Sequence, residues 1–317
     1  MSALLDEHMK TLRLIQACDS SGRMGPALPD AILSEFQTAI ASGNLDGIRT
    51  LLAEHFPDTS KRCPGKYNIK ELLPALSQAA RHDQVDVLKE ILVPYLHSPE
   101  TIDFVAYEAV DTCSKNTLLL LLDLGWDINL RFGPGLTVLE SFLYDTTPDR
   151  GNSKRRDMTY WLIDHGAGLN ERPSHTDTTG MSYAVEHAPV DFVQELLDQH
   201  GGDAQKGQLL HHALQRKPTD GIVDMLRLLI DRGAPLNVTK FANDERASRN
   251  FWPLDLGTPL HEAADRGNVE AVKFLLEQGA DTNIVSSRSK TTAREWAEKA
   301  GHSEIAAILR SPDQYKI

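Results

Sequence analysis

The feature that most constrains this chain is a short pattern that occurs twice near its end. Residues 258–264 read Thr-Pro-Leu-His-Glu-Ala-Ala, and Gly267 follows after a short gap. Thr292 and Gly301 restart the pattern 34 positions after Thr258 and Gly267. A period of about 33 residues is typical of arrays built from repeated helix pairs. The spacing therefore predicts a chain of similar units rather than a fold with one central core.

Each part of this unit has a local physical reason. Thr258 can cap a helix with its hydroxyl, and Pro259 suits the first helical position because no N–H partner is lost there. Gly267 and Gly279 can supply the positive φ that helix ends require. Apolar residues at 269, 272, 275 and 276 form one stripe on a second helix. One helix pair cannot bury this stripe alone, so stacked neighbours are required.

This wording closely resembles the ankyrin repeat. The resemblance implies an all-α solenoid of seven to eight helix-turn-helix units with finger loops and insertions, in which His261 bonds the loop of a neighbouring repeat. The matching segments are Ala31–Phe56, the region around Leu76–Leu92, Ile102–Asn129, Thr137–Gly166, Thr179–Asp203, Leu209–Asn237, residues 257–283 and Thr292–Leu309. We therefore expect a capping helix and connector over residues 1–30, the repeat domain over 31–310 and a tail over 311–317.

Three departures from the repeat pattern stand out. Asp83 occupies a turn position where Gly is usual, which predicts a degenerate turn there. An extra segment, Thr146–Asp157, separates the two helices of the fourth repeat and contains Lys154-Arg155-Arg156. Three adjacent cations suit either a nuclear-import or phosphate patch or a solvated loop, and the pattern favours the loop. A 19-residue loop, Val238–Leu256, separates repeats six and seven.

Composition narrows the classes of partner. The net charge of −12 argues against nonspecific binding to nucleic acid or to an anionic membrane, because both need a basic surface. The longest apolar run, Leu118–Leu122, is far too short to span a bilayer. Cys18, Cys63 and Cys113 show neither metal nor disulfide spacing and indicate thiols in a reducing compartment. Without an apolar signal segment, we expect a cytoplasmic and possibly also nuclear protein.

No sequence motif indicates a cofactor or a metal. The pair His211-His212 invites a metal interpretation, but adjacent residues on a helix point about 100° apart and do not converge on one ion. His211 also aligns with His261, whose role in the resemblance is structural. We therefore expect no metal site and no cofactor.

The resemblance places partner binding at two kinds of position: the residues just after the Ala pair of each repeat, and the finger loops. Carried over, the first kind gives Arg81, His82, Asp111, Thr112, Tyr144, Asp145, Glu186, His187, Gln215, Arg216, Asp265 and Arg266. The fingers add Trp126, Arg131, Phe132, Arg249, Phe251 and Trp252, and more weakly His175 and Asp177. A solvated helix face explains the charges equally well, and each Trp fits equally well under its own loop.

The best-supported function is a non-catalytic scaffold that binds a protein partner through its concave face and fingers. The alternative is an enzyme or small-molecule binder in which Asp111, Tyr144, Asp145, Glu186 and His187 line a cleft and supply general acid–base groups. That alternative requires a closed pocket with a carboxylate–His pair inside hydrogen-bond reach. A purely architectural segment of a larger assembly is disfavoured, because caps at both ends oppose open-ended stacking.

Overall fold

A computed structural model describes most of the chain, namely residues 27–56, 67, 69–95, 99–131, 135–144, 153–172, 178–216, 221–242, 249 and 254–315. Within these ranges the structure contains sixteen α-helices and no β-strand. The chain divides into two compact units, residues 1–138 and residues 139–317. The expected capping helix near the N-terminus, together with Cys18 and Cys63, lies outside the described residues.

The first unit is a stack of helix pairs. Its helices are α1 (Asp30–Ala41), α2 (Leu45–His55), α3 (Leu73–Arg81), α4 (Val85–Tyr95), α5 (Pro99–Thr112) and α6 (Lys115–Asp123), with a 3₁₀ turn at Ile69–Leu72 before α3. First helices contact first helices, α1 with α3 and α3 with α5, and second helices contact second helices in the same way. Apolar side chains such as Phe36, Ile40 and Leu88 are fully buried in this stack.

The second unit repeats this arrangement. Its helices are α7 (Val138–Tyr144, which begins at the unit boundary), α8 (Ser153–Asp164), α9 (Gly180–His187), α10 (Val190–Gln199), α11 (Leu209–Leu214), α12 (Ile222–Asp231), α13 (Pro259–Asp265), α14 (Val269–Glu277), α15 (Ala293–Ala300) and α16 (Ser303–Arg310). The first helices α9, α11, α13 and α15 contact one another in sequence, as do the second helices α10, α12, α14 and α16.

These eight helix pairs confirm the predicted all-α repeat architecture. Leu275 and Leu276 of α14 have no exposed surface, as the apolar stripe predicts. Leu118 and Leu121 of α6 are buried in the same way. No single pair covers its own apolar side chains, so each neighbour contributes to the burial.

Within the part of the chain that the structure describes, no helix has both the length and the apolarity needed to cross a bilayer.

The turn between paired helices requires a left-handed residue, and Gly267 shows why Gly is preferred. Its φ is 72°, and a Cβ atom there would lie 2.6 Å from Cε1 of His302. His302 is held in place because its Nε2 bonds the carbonyl oxygen of Asp265 at 3.0 Å. A side chain at position 267 would therefore displace a contact between adjacent repeats.

The turn at Asp83 is not degenerate, contrary to expectation. Asp83 adopts the same left-handed conformation, with φ of 54°. Its Oδ1 accepts from the backbone N–H of Thr117 at 2.7 Å, and its Oδ2 accepts from Asn116 at 2.8 Å. The carboxylate thus caps the first turn of α6 in the next repeat, which offsets the strain that a non-Gly residue carries in this conformation.

The prediction of a solvated loop at Lys154-Arg155-Arg156 is wrong. These residues belong to the first turn of α8. The guanidinium of Arg155 lies 4.1 Å from the ring centroid of Phe142. Arg156 is half-buried and pairs with Asp191 at 2.6 Å and with Glu195 at 3.3 Å. The carboxylates on α10 neutralise this cation, which allows it to pack between two repeats.

Candidate functional site

The candidate site lies in the second unit, where the C-terminal ends of the first helices α7, α9, α11 and α13 carry polar and aromatic side chains. We name it the first-helix face. Its members are Tyr144, Tyr183, Glu186, His187, His211, His212, Gln215, Arg216, Glu262 and Arg266, with Lys240 from the loop that follows α12.

An aromatic corner occupies the α7 end of this face. Tyr144 is 42% exposed. Its ring lies edge-on to Tyr183 at 5.7 Å and to His187 at 5.2 Å between centroids. Edge-to-face geometry at these distances is favourable for aromatic pairs. Tyr144 therefore presents an ordered apolar surface to solvent.

Glu186 lies at the centre of the face and accepts a hydrogen bond from His212 Nδ1 at 3.0 Å. The distance from Glu186 to His187 Nε2 is 3.7 Å, too long for a hydrogen bond. Burial opposes ionisation of Glu186, but the bond from His212 and nearby positive charge outweigh it and lower its pKa. Glu186 is therefore an anion whose negative charge is largely compensated by groups of the protein itself.

Glu262 is the most heavily bonded carboxylate of the face. It accepts from His211 Nδ1 at 2.9 Å, from Gln215 Nε2 at 2.8 Å, and from Arg266 Nε and Nη2 at 3.1 Å each. Burial again opposes ionisation, yet the hydrogen bond from His211 and the charges of Lys240 and Arg266 lower the pKa of Glu262 to about 2. Glu262 thus joins the sixth and seventh repeats electrostatically.

His211 is 3% exposed, and burial lowers its pKa, so its ring is neutral near pH 7. Because Glu262 accepts at Nδ1, the proton resides on Nδ1 and the lone pair on Nε2. His211 Nε2 is buried and has no hydrogen-bond partner in the described structure. An unmade hydrogen bond at a buried polar atom is unusual and costly.

The expectation that His211 repeats the role of His261 is wrong. His261 Nδ1 accepts from the backbone N–H of Thr258 at 3.2 Å, and its Nε2 bonds the carbonyl oxygen of Thr291 at 3.1 Å, as the resemblance implies. The position equivalent to Thr258 is Gln208, which is left-handed and forms no side-chain cap. His211 bonds the carboxylate of Glu262 instead and carries its proton on the other nitrogen.

The two adjacent histidines diverge, as predicted from helical geometry. Nδ1 of His211 bonds a carboxylate from α13, whereas Nδ1 of His212 bonds one from α9. Over the residues that the structure describes, no group of three or more His, Cys, Asp or Glu side chains is arranged to hold a metal ion.

Arg216 differs from the other cations of the face. Its Nη1 donates to the carbonyl oxygen of Val185 near the C-terminal end of α9, and its Nε is buried without a hydrogen bond. Burial alone lowers the pKa of its guanidinium, with no opposing contribution from a carboxylate. Arg216 is therefore a half-buried cation that the described part of the protein leaves without a counter-ion.

Several predicted site residues lie elsewhere. Trp126 is only 7% exposed, which favours the alternative of a ring packed within the protein over a surface anchor. In the first unit, Arg81 is bonded to the buried Glu108 at 2.5 Å, while His82 is exposed and Asp111 half-buried. Arg131 donates to the Gly135 carbonyl at 2.8 Å.

The exposed residues Arg249 and Asp265 lie in the second unit. Phe132, Asp145, His175, Asp177, Phe251 and Trp252 are outside the described residues.

The geometry required by the enzymatic alternative is met only in part. Tyr144 and His187 lie together, and carboxylate–His pairs within hydrogen-bond reach exist, but these pairs involve His211 and His212. A surface recess of about 660 Å³ is lined by residues 221–224 and 266–270 rather than by these pairs. The catalytic set proposed from sequence therefore does not line this recess.

Sequence reasoning missed five members of the face: Tyr183, His211, His212, Lys240 and Glu262. Glu262 belongs to the Thr-Pro-Leu-His-Glu wording that carries the ankyrin resemblance, so nothing in the sequence marks it as special. The substitution of Gln208 for the capping Thr was the available signal, because it removes the partner that a consensus His would bond.

Comparisons with known proteins agree with this architecture. A family model described as ankyrin repeats (three copies) matches residues 243–316. This chain therefore contains ankyrin repeats, which confirms the resemblance drawn from its sequence. The match lies in the second unit and includes Glu262 and Arg266 of the first-helix face.

Similarity to individual proteins is limited to such repeats. The ankyrin repeat protein nuc-2 of Neurospora crassa is 34% identical over 140 residues, covering 43% of this chain and 12% of that protein. The putative ankyrin repeat protein FPV222 of fowlpox virus is 32% identical over 128 residues, which cover 39% of this chain and 15% of that protein. The serine/threonine-protein kinase TNNI3K of Mus musculus is 36% identical over 87 residues, which cover 25% of this chain and 10% of that protein. The chain thus spans only a small part of each relative's length.

Proposed function

We propose that this protein is a binding scaffold that holds a protein partner against the first-helix face of residues 139–317. Ankyrin repeats indicate a scaffold for protein–protein interaction, and the chain's own departures from a uniform repeat favour this surface. The observation that carries the proposal is the exposed but ordered ring of Tyr144 beside a continuous polar network. Aromatic residues of this kind are frequent binding anchors.

The rigidity of the face supports the same function. Glu186 and Glu262 connect three successive first helices through His212 and His211. Side chains fixed in this way lose little conformational entropy when a partner binds. A preorganised face of this kind suits recognition, with no requirement for catalysis.

The test compares substitutions at two residues whose side chains are exposed to nearly the same extent. Tyr144→Ala truncates a ring that is 42% exposed on the face, and Leu119→Ala truncates a side chain that is 41% exposed on α6. Wild type and both variants are used as bait, and bound proteins are cross-linked and quantified by mass spectrometry. We expect the Tyr144 variant to lose a specific partner about tenfold or more, while the Leu119 variant retains it.

Two outcomes oppose the proposal. Equal retention of every captured protein by the wild type and the Tyr144 variant would exclude this face as the binding surface. Cross-links that map to the second helices α10, α12 and α14 would place the partner on the opposite side of the helix pairs. Thermal melts of each variant establish that the comparison concerns folded protein.

A further inference from the structure

Seven arginines that the structure describes are neutralised by a carboxylate. Arg49, Arg81, Arg156, Arg232, Arg266, Arg294 and Arg310 each pair with Asp or Glu at 2.5–3.8 Å. Arg216 contacts a backbone carbonyl instead. A half-buried charge without a counter-ion costs free energy that a surface-exposed arginine does not incur.

The charges around Arg216 are already balanced without it. Glu186 and Glu262 are the two carboxylates of the network. Lys240 acts on both of them, His187 and His212 act on Glu186, and Arg266 acts on Glu262. His211 is neutral because burial lowers its pKa. Among the described residues of this face, Arg216 is therefore a cation without a carboxylate partner; Asp265 is exposed and does not act on the pKa of Arg216.

The position of Arg216 places this surplus charge beside the aromatic corner. Its guanidinium contacts the carbonyl oxygen of Val185. Tyr144 contacts Tyr183 and His187, which flank Val185 in the same helix. The C-terminal turn of α9 thus carries a cation contributed by the following repeat and an exposed aromatic ring contributed by the preceding one.

We propose that Arg216 is the receptor for a carboxylate side chain of the partner, so that the first-helix face recognises an acidic peptide segment. The partner's carboxylate supplies the missing counter-ion and accepts from the guanidinium, and an adjacent apolar side chain packs against Tyr144. Charge-assisted bonds between arginine and carboxylate are stronger than neutral hydrogen bonds and gain strength where water is excluded. This inference rests on the proposed scaffold function and names the chemistry of its ligand.

The test selects ligands from random sequences, so the natural partner need not be identified first. A random 12-residue peptide library displayed on phage is enriched separately on the wild type, on Arg216→Gln and on Arg310→Gln. Arg310 is a matched control because it is exposed and paired with Glu298 on α15, away from the face. We expect the wild type and the control to enrich peptides with Asp or Glu at a fixed position, and Arg216→Gln to lose that enrichment.

Synthetic peptides then separate the sources of negative charge. The selected peptide is prepared with Glu, with Gln and with phosphoserine at the enriched position, and binding is measured by fluorescence anisotropy. We expect the Glu peptide to bind wild type about tenfold or more tightly than the Gln peptide, with the difference absent in Arg216→Gln. A preference for phosphoserine alone would overturn the assignment to a carboxylate.

Failure of the inference is distinguishable from failure of the scaffold function. If Arg216→Gln enriches the same acidic peptides as the wild type, or if the enriched peptides lack acidic residues but still require Tyr144, the carboxylate receptor is excluded and the binding face stands. If peptides bind with no dependence on Tyr144 or Arg216, both proposals fail. Circular dichroism and thermal melting of the variants verify that loss of binding is not loss of folding.

Discussion

His261 and His211 occupy equivalent positions in consecutive repeats, yet they connect their neighbours in different ways. His261 bonds the backbone of its own cap and the backbone of the next repeat. His211 bonds a side chain, the carboxylate of Glu262, and leaves Nε2 without a partner among the described residues. The first junction has the contacts that the ankyrin resemblance implies. At the second junction a bond to a carboxylate replaces a bond to the backbone.

The difference shows how a repeat protein gains an individual surface. Backbone acceptors are the same in every repeat, so bonds to them stabilise the stack without distinguishing one site from another. Bonds between side chains depend on residues that are free to vary, such as Gln208 and Glu262. The consensus junction is therefore expected to contribute mainly stability, and the divergent junction to contribute the chemistry of the face.

The largest expected effect is a difference in the free energy of unfolding between substitutions of the two histidines. His261→Ala removes the hydrogen bonds of the ring with the backbone N–H and the hydroxyl of Thr258 and with the carbonyl oxygen of Thr291. It also removes the edge contact with Trp296, whose ring centroid lies 5.1 Å away. We expect a loss of about 2–3 kcal/mol in the free energy of unfolding. His211→Ala leaves Glu262 with Gln215 and Arg266, and we expect a loss of about 1 kcal/mol. Urea denaturation of both variants measures the contrast, and equal losses would contradict it.

Neutralising Glu262 tests whether charge holds the divergent junction together. Glu262→Gln keeps the shape of the side chain but removes the anion that accepts from His211 and Arg266. We expect a loss of about 1–2 kcal/mol, because charge-assisted bonds become neutral ones. Glu270→Gln, an exposed site on α14, is the control and should change stability by no more than about 0.5 kcal/mol. Comparable losses in the two variants would show that the network is not stabilising.

Asp83 provides the same contrast in the first unit, where it occupies a turn position at which Gly is usual. Asp83→Ala removes the cap on α6 and places Ala at a positive φ. We expect a loss of about 1–2 kcal/mol. Asp83→Asn tolerates the left-handed conformation and retains an acceptor, so its loss should be smaller. Chemical denaturation of both variants measures these losses. An Asp83→Ala variant as stable as the wild type would refute the capping role.

The last expected effect is a dependence of stability on pH, which is small near pH 7 and grows as the pH falls. Burial lowers the pKa values of His211 and His261 below the ordinary value of 6.5, so their contribution is complete above pH 6.5 and is lost as pH falls below it. Each histidine contributes at most about 1.4 kcal/mol per pH unit. Glu262, with a pKa of about 2 against an ordinary 4.5, adds a further loss below pH 4.5.

His211→Asn sharpens that measurement because Asn keeps an N–H donor for Glu262 but does not titrate. Thermal melts between pH 7.5 and pH 5 should show a shallower decline in this variant than in wild type. His261→Asn should reduce the slope in the same direction. An unchanged slope in both variants would show that folding does not lower the pKa of either histidine.

Much of the fold was predictable from local pattern. Gly267 marked a left-handed turn, and the apolar positions up to Leu276 marked a helix that requires a neighbour. The candidate face was predictable only as a set of positions, among which Tyr144, Glu186 and Arg216 lie together in the structure. Trp126 could not be assigned from sequence, because an aromatic residue in a loop is equally compatible with burial beneath that loop and with exposure.

What the sequence determined by itself was the helix pair and its repetition, since capping residues, left-handed glycines and apolar spacing act over a few positions. Only the tertiary structure decided which charges are neutralised, because the partners come from different repeats. Glu262 lies 51 positions from His211 and meets it through stacking alone. Arg216 is left with a carbonyl for the same reason: the stack brings Val185 to it, and among the described residues it brings no carboxylate.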